Sequence, residues 1–99
     1  MKELAKIFKA LSVDTRLKIL KVIADCQSDL CTSQQLCVNA IADKLGISQS
    51  AVSQHLTVLK NAGLVHDERK GYYIHYSINR GRFEELKRMV EETLGKDFI

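Results

Sequence analysis

Two groups of residues in this chain combine reactive or hydrogen-bonding types with close spacing. Cys26, Cys31 and Cys37 place three thiols within twelve residues. Thiolates are soft ligands and strong nucleophiles, so the set suits a trivalent metalloid such as arsenite, or a dithiol switch. An odd number of cysteines does not build a disulfide framework, and Cys26 and Cys37 also suit a buried core as small apolar residues. The second group is Gln49, Ser50, Ser53, Gln54 and His55, five uncharged hydrogen-bonding side chains with no acid anywhere between Gly46 and Val65. Such donors and acceptors match the base edges of the DNA major groove, where a carboxylate would be repelled. A solvated helix face is more usually built from Glu and Lys. His55, His66 and His75 do not fall at metal-ligand spacing; His66 and His75 suit a cross-strand polar pair better than a metal site.

The elements that must position these groups follow from apolar periodicity. Leu4, Ile7, Phe8 and Leu11 fall at i, i+3, i+4 and i+7, which predicts a helix over Lys2–Leu11. Ser12 or Asp14 is placed to cap a second helix reaching about Ala24, with Leu17, Leu20 and Ile23 or Ala24 inward. The polar stretch Asp25–Ser33 reads as a loop. A third helix is expected over Gln34–Leu45, with Leu36, Ala40, Ile41 and Leu45 inward and Gly46 ending it. Ser48 then caps a fourth, Gln49–Ala62, with Val52, Leu56 and Leu59 buried. Two helices joined by Gly46-Ile47-Ser48 form a helix-turn-helix, and the second carries the polar cluster near its N-terminus, the part of a recognition helix that enters the major groove.

Beyond Gly63 the period changes to two. Leu64–Glu68 and Tyr72–Ile78 read as strands flanking Arg69-Lys70-Gly71, a β-hairpin with a basic tip. Arg69 and Lys70 there could reach phosphates or the minor groove, although Asp67 and Glu68 beside them weaken the electrostatic case. A last helix over Arg82–Leu94 aligns Phe83, Leu86, Val90 and Leu94. The fold class is mainly α with a β-hairpin, a winged helix-turn-helix of order α-α-α-α-β-β-α spanning residues 1–99 as one domain. Leu4, Ile7, Phe8 and Leu11 at one end and Phe83, Leu86, Val90 and Leu94 at the other exceed the needs of a small helical core, so a homodimer interface is expected there.

Composition agrees with this class. The chain has 99 residues, 45% hydrophobic and 27% charged, which fits one globular domain and excludes disorder as its main state. No apolar run approaches the length of a membrane span, and Met1-Lys2-Glu3-Leu4 is unlike a signal peptide, so a cytoplasmic protein with no membrane partner and reduced thiols is expected. Absence of Pro and Trp favours helices over a turn-rich β design. The net charge of +3 is a weak signal for nucleic acid, and residues 81–99 hold four bases against five acids, so the positive excess lies upstream. A thiol enzyme is disfavoured, since there is no CxxC, no His near the cysteines and little room for a substrate pocket. A winged-helix module that binds only proteins is the remaining alternative.

Three stretches together resemble the ArsR/SmtB family: Leu11-Ser12-Val13-Asp14-Thr15-Arg16-Leu17-Lys18-Ile19-Leu20, then Ile41 through Leu56 with its Ser48-Gln49-Ser50-Ala51-Val52-Ser53-Gln54-His55-Leu56 block, then Leu59-Lys60-Asn61-Ala62-Gly63-Leu64-Val65. The likeness covers nearly the whole chain. It implies a small homodimeric repressor that binds double-stranded operator DNA and releases it on sensing a metal, metalloid or thiol oxidant. It places Gln49, Ser50, Ser53, Gln54 and His55 at DNA, and Arg69, Lys70 and Tyr72 in the wing. The sensor departs from the family pattern. Where many members carry Cys-x-Cys at the start of the third helix, this chain has Cys37-Val38-Asn39, and residues 81–99 contain no His for a site on the last helix. The loop before the third helix is longer than in relatives and contributes Cys26 and Cys31. The resemblance therefore implies no certain cofactor: a metalloid or thiol modification at the three cysteines, or a repressor without either inducer.

Overall fold

The computed structural model describes residues 1–26 and 37–95. Their order is α1 (Lys2–Leu11), α2 (Asp14–Asp25), α3 (Val38–Leu45), α4 (Gln49–Asn61), β1 (Val65–Lys70), β2 (Tyr73–Ile78) and α5 (Arg80–Leu94). This is the expected α-α-α-α-β-β-α arrangement. Helix α2 is its hub, packing against α1, α3, α4 and β2. Ile7, Ile19, Ile23, Ile41, Val52, Leu56, Leu59 and Leu64 are wholly buried and make one continuous core.

The centrality of α2 corrects the expected stripe. Ile19, Leu20, Val22 and Ile23 are buried, whereas Leu17 is 48% exposed and Ala24 is exposed. A helix contacted on several sides buries a broader arc than one amphipathic face, and Leu17 falls outside that arc. Neither Ser12 nor Asp14 caps it, because Val13 holds the N-cap position. Ser12 Oγ donates instead to the Lys9 carbonyl at 2.8 Å, closing the end of α1, and Asp14 pairs with Lys18 at 3.1 Å.

The turn between α3 and α4 forms as its residues dictate. Gly46 adopts φ +67, the left-handed conformation that ends a helix, and Ile47 N–H donates to Ala42 at 3.2 Å. Ser48 then accepts from Ala51 N–H at 3.1 Å and starts α4. Ser48→Ala should lower stability by about 1 kcal/mol, read from the midpoint of urea unfolding; an unchanged midpoint would show that the cap contributes nothing. Helix α3 begins one residue after Cys37, which is extended at the N-cap (φ −86, ψ 165) rather than in the first helical turn as expected. The expected start at Gln34 and the inward Leu36 lie outside the described residues.

At the other end of α4, Gly63 (φ +78) turns the chain into β1, and Asn79 and Arg82 lock that turn to α5. Asn79 Nδ2 donates to the Gly63 carbonyl at 2.8 Å while its Oδ1 accepts from Arg82 N–H at 3.2 Å. Arg82 Nε donates to the Ala62 carbonyl at 3.1 Å, and its guanidinium pairs with Glu85 and with Glu3 of α1. Hydrogen bonding to Arg82, reinforced by its charge, holds the Glu3 carboxyl below the ordinary carboxylate range. A Cβ at Gly63 would lie 3.1 Å from Arg82 Nε as well as demanding a left-handed backbone. Gly63→Ala should therefore cost about 1–2 kcal/mol, measured by chemical denaturation. A stabilised variant would contradict the role of this turn.

The two strands pair antiparallel, with Val65 opposite Ile78 and Lys70 opposite Tyr73. The hairpin turn is Gly71-Tyr72, with Gly71 at φ +63. Arg69 and Lys70 are thus the last residues of β1 and not part of the tip. Because strand side chains alternate, these two cations point to opposite faces of the ribbon.

Candidate nucleic-acid interface

Helix α4 is about 20 Å long and is held by Val52, Leu56 and Leu59 against the core. That anchoring turns Gln49, Ser50, Ser53 and Gln54 outward, and all four are exposed. Thr57, which the sequence reading did not single out, extends the same stripe, since Ser50, Ser53, Gln54 and Thr57 fall at i, i+3, i+4 and i+7 and each is exposed. Its hydroxyl donates to the Ser53 carbonyl at 3.0 Å, so its oxygen is left to act as an acceptor. The i+7 spacing from Ser50 was the available signal.

His55 departs from this stripe. It is half-buried at the seam between α4 and α2, where its Nδ1 accepts a hydrogen bond from Arg16 Nε at 3.3 Å. Arg16 is therefore part of the site, which the sequence reading did not anticipate. Thirty-nine residues separate the two in the chain, so no local pattern reports their contact.

In the wing, Tyr72 is 99% exposed and Arg69 and Lys70 are exposed. The acids beside them are partly neutralised. Asp67 accepts from Lys60 Nζ at 2.7 Å, and that hydrogen bond holds its carboxyl below the ordinary range. Glu68 stands opposite His75 in the register, and His66 stands opposite Ser77. The two histidines are thus two register positions apart, on a diagonal, and do not form the expected directly opposed cross-strand pair. Burial, then the charge of Lys70, lowers the His75 pKa, which favours the neutral ring. The Lys60–Asp67 pair joins the end of α4 to β1. Because the Asp67 carboxyl is held low, the pair contributes its full stability at pH above the ordinary Asp range and loses it as pH falls through the lowered value. Lys60→Met should flatten the acid side of the stability profile; an unaltered profile would show the pair to be idle.

The cysteines are less convergent. Cys26 and Cys37 are both buried, and they line separate clefts. Cys26 shares one with Ala40, Asp43 and Lys44; Cys37 shares another with Val38, Asn39 and the wing residues Tyr72, Tyr73 and Ile74. Cys31 lies outside the described residues. Among the described residues no three His, Cys, Asp or Glu side chains are grouped to hold a metal ion.

The apolar residues expected at a dimer interface divide. Ile7 is wholly buried in the single chain, and Leu4 and Val90 nearly so, because α1 packs directly on α5. These three are core rather than interface surface. Phe8 (44%) and Leu94 (54%) are exposed, and Leu11, Phe83 and Leu86 are half-buried. Leu11 and Phe83 line an open apolar groove with Leu17, Leu20, Ala24 and Ile78, rimmed by Lys21, Arg80 and Glu84.

Residues 14–67, from the start of α2 into the wing, match the model of the arsR family of bacterial regulatory proteins. The chain belongs to this family. It is 36% identical to a cadmium resistance transcriptional regulatory protein CadC homolog of Staphylococcus aureus, over 92% of this chain and 67% of the relative. It is 40% identical to the transcriptional repressor SdpR of Bacillus subtilis, over 74% of this chain and 72% of that one. Among solved structures, the homodimeric winged helix-turn-helix DNA-binding domain Mb0332 of Mycobacterium bovis superposes with a TM-score of 0.68 at 28% identity, covering 93% of this chain and 78% of that one. An arsR-family member is a transcriptional regulator and not an enzyme, and the outward stripe of α4 sits where a winged helix-turn-helix presents its recognition helix. No helix among the described residues is long and apolar enough to cross a membrane.

Proposed function

We propose that this chain is a dimeric, sequence-specific repressor, the whole of residues 1–99 acting as one DNA-binding unit that works in the cytoplasm. The observation that carries this reading is the acid-free outward face of α4, with Gln49, Ser50, Ser53 and Gln54 exposed at the helix N-terminus and His55 beside them. These side chains read base edges, while Arg69, Lys70 and Tyr72 of the wing contact the flanking backbone and minor groove. The homodimeric relative from Mycobacterium bovis supports a dimer, and the exposed Phe8 and Leu94 with the apolar groove around Leu17 and Phe83 are the surface a second copy would cover. Two-fold symmetry then sets two copies of α4 about one DNA turn apart. Leu17→Glu should shift the protein toward monomer in sedimentation and weaken operator binding. An unshifted dimer would move the interface elsewhere.

The inducer is a thiol-reactive species, a metalloid such as arsenite or an oxidant, acting at Cys26, Cys31 and Cys37. The supporting feature is position: Cys26 ends α2, Cys37 starts α3, and α3 packs on α4. Chemistry there can favour a dimer state whose recognition helices no longer match groove spacing. A coupling of about 1–3 kcal/mol changes operator affinity about 5- to 150-fold. Fluorescence anisotropy of the reduced protein on DNA upstream of its own gene, with and without arsenite or diamide, tests this. Release in that range is expected; tight binding unchanged by either reagent would leave a repressor without a thiol inducer.

A further inference from the structure

We infer that Arg16 is a positioning residue for DNA recognition: it fixes the tautomer of His55 and so determines which base-edge atoms that histidine can read. The inference rests on the DNA-reading role of α4 proposed above and assigns to it a residue outside the helix-turn-helix.

The argument begins with proton inventory. An arginine side chain has only donors and keeps its charge at all accessible pH values. Its Nε–H is directed at His55 Nδ1 at 3.3 Å. That nitrogen must therefore present a lone pair, and a neutral imidazole with a bare Nδ1 carries its proton on Nε2. The free edge of His55 is then a donor alone. It can pair with guanine O6 or N7, adenine N7, thymine O4 or a phosphate oxygen, and it cannot accept from adenine N6 or cytosine N4. Without Arg16 the ring can exchange tautomers and rotate, so its edge no longer discriminates donors from acceptors.

The geometry that aims Arg16 is built by the end of α1. Its Nη1 donates to the carbonyls of Lys9 and Ala10 at 3.5 and 3.4 Å. These belong to the last turn of α1, where the helix end favours a cation, and the Lys9 carbonyl also accepts from Ser12. The guanidinium is therefore held from two sides, by α1 through Nη1 and by α4 through Nε. The α1–α2–α4 packing that buries Ile7, Ile19 and Leu56 places Arg16 against its target. The charge of Arg16 does not depend on its contact with His55, so charge and tautomer control make separable contributions.

Long-range proton–nitrogen NMR of the imidazole nitrogens tests the free protein directly and needs no DNA. The wild type is expected to show His55 as a single Nε2–H tautomer, and Arg16→Met, which keeps the apolar stem without donors, is expected to show mixed tautomers. On DNA, Arg16→Met should weaken binding to a duplex recovered by selection from a randomised library about 10-fold, and to a scrambled duplex only about 2-fold, from the lost cation. In a His55→Ala background the same substitution should leave the selected-to-scrambled ratio unchanged. An Nδ1–H or mixed tautomer in the wild type overturns the assignment, with no variant required. A ratio that falls equally with and without His55 overturns it too, showing that Arg16 acts through packing alone. A wild type that prefers no sequence instead overturns the DNA reading on which the role depends, and the tautomer result distinguishes that outcome from the others.

Discussion

Replacing Ser53 and His55 together by alanine should lower affinity for a selected operator by about two orders of magnitude while leaving scrambled duplex nearly unaffected. Each good base-edge contact contributes about 1–3 kcal/mol of discrimination, and both residues lie on the N-terminal half of α4. Alanine is a strong helix former, so the helix itself should persist in the double variant. Arg69→Ala should behave differently, weakening binding on every sequence alike and reducing the salt dependence, because a wing cation that meets phosphate displaces counterions without reading bases. Anisotropy titrations on both duplexes over a salt series separate the two patterns. Equal losses on selected and scrambled DNA for the α4 variant would show that the helix does not read sequence.

Leu59→Ala should strongly destabilise the domain and with it the interface. Leu59 is wholly buried in α4, and its carbonyl accepts from Leu64 N–H at 3.0 Å where the chain leaves the helix for the wing. Removing a buried leucine side chain costs about 2–5 kcal/mol, against a total stability of about 5–15 kcal/mol for a domain of this kind. The midpoint of urea unfolding should fall sharply with little change in slope. A loss below about 1 kcal/mol would mean that α4 is not anchored through this residue.

What was legible in the sequence follows from how local each determinant is. The ends of α4 were readable because Ser48 and Gly63 act within a turn of the residues they cap, and the Val52, Leu56 and Leu59 stripe needs only helical spacing. The inward face of α2 was misread because four neighbouring elements bury more than one stripe, and nothing in its own periodicity says so. The wing turn fell at Gly71-Tyr72, so of the expected Arg69-Lys70-Gly71 turn only Gly71 lies in it. Gly71 can take the positive φ that the turn requires, whereas the two preceding residues can pair in the strand. Leu4, Ile7 and Val90 looked available for a partner because the packing of α1 on α5, at opposite ends of the sequence, is a tertiary fact. The Arg16–His55 hydrogen bond was invisible for the same reason.

The outward placement of Gln49, Ser50, Ser53 and Gln54 was the most readable feature of the candidate site, whereas His55 turned into the seam with α2. The signal was compositional: Gln, Ser and His where a solvated face would carry Glu and Lys. The cysteines were the least readable. Three thiols close in sequence suggested one cluster; Cys26 borders a cleft with Asp43 and Lys44, Cys37 borders one with the wing, and Cys31 lies outside the described residues.

The central claim is that the outward face of α4 reads a DNA sequence as a two-fold pair. Selection of bound duplexes from a randomised library at about 150 mM salt tests it most directly. Convergence on an inverted repeat with half-site centres about one helical turn apart is the predicted result. A bound pool with no enriched sequence would contradict it.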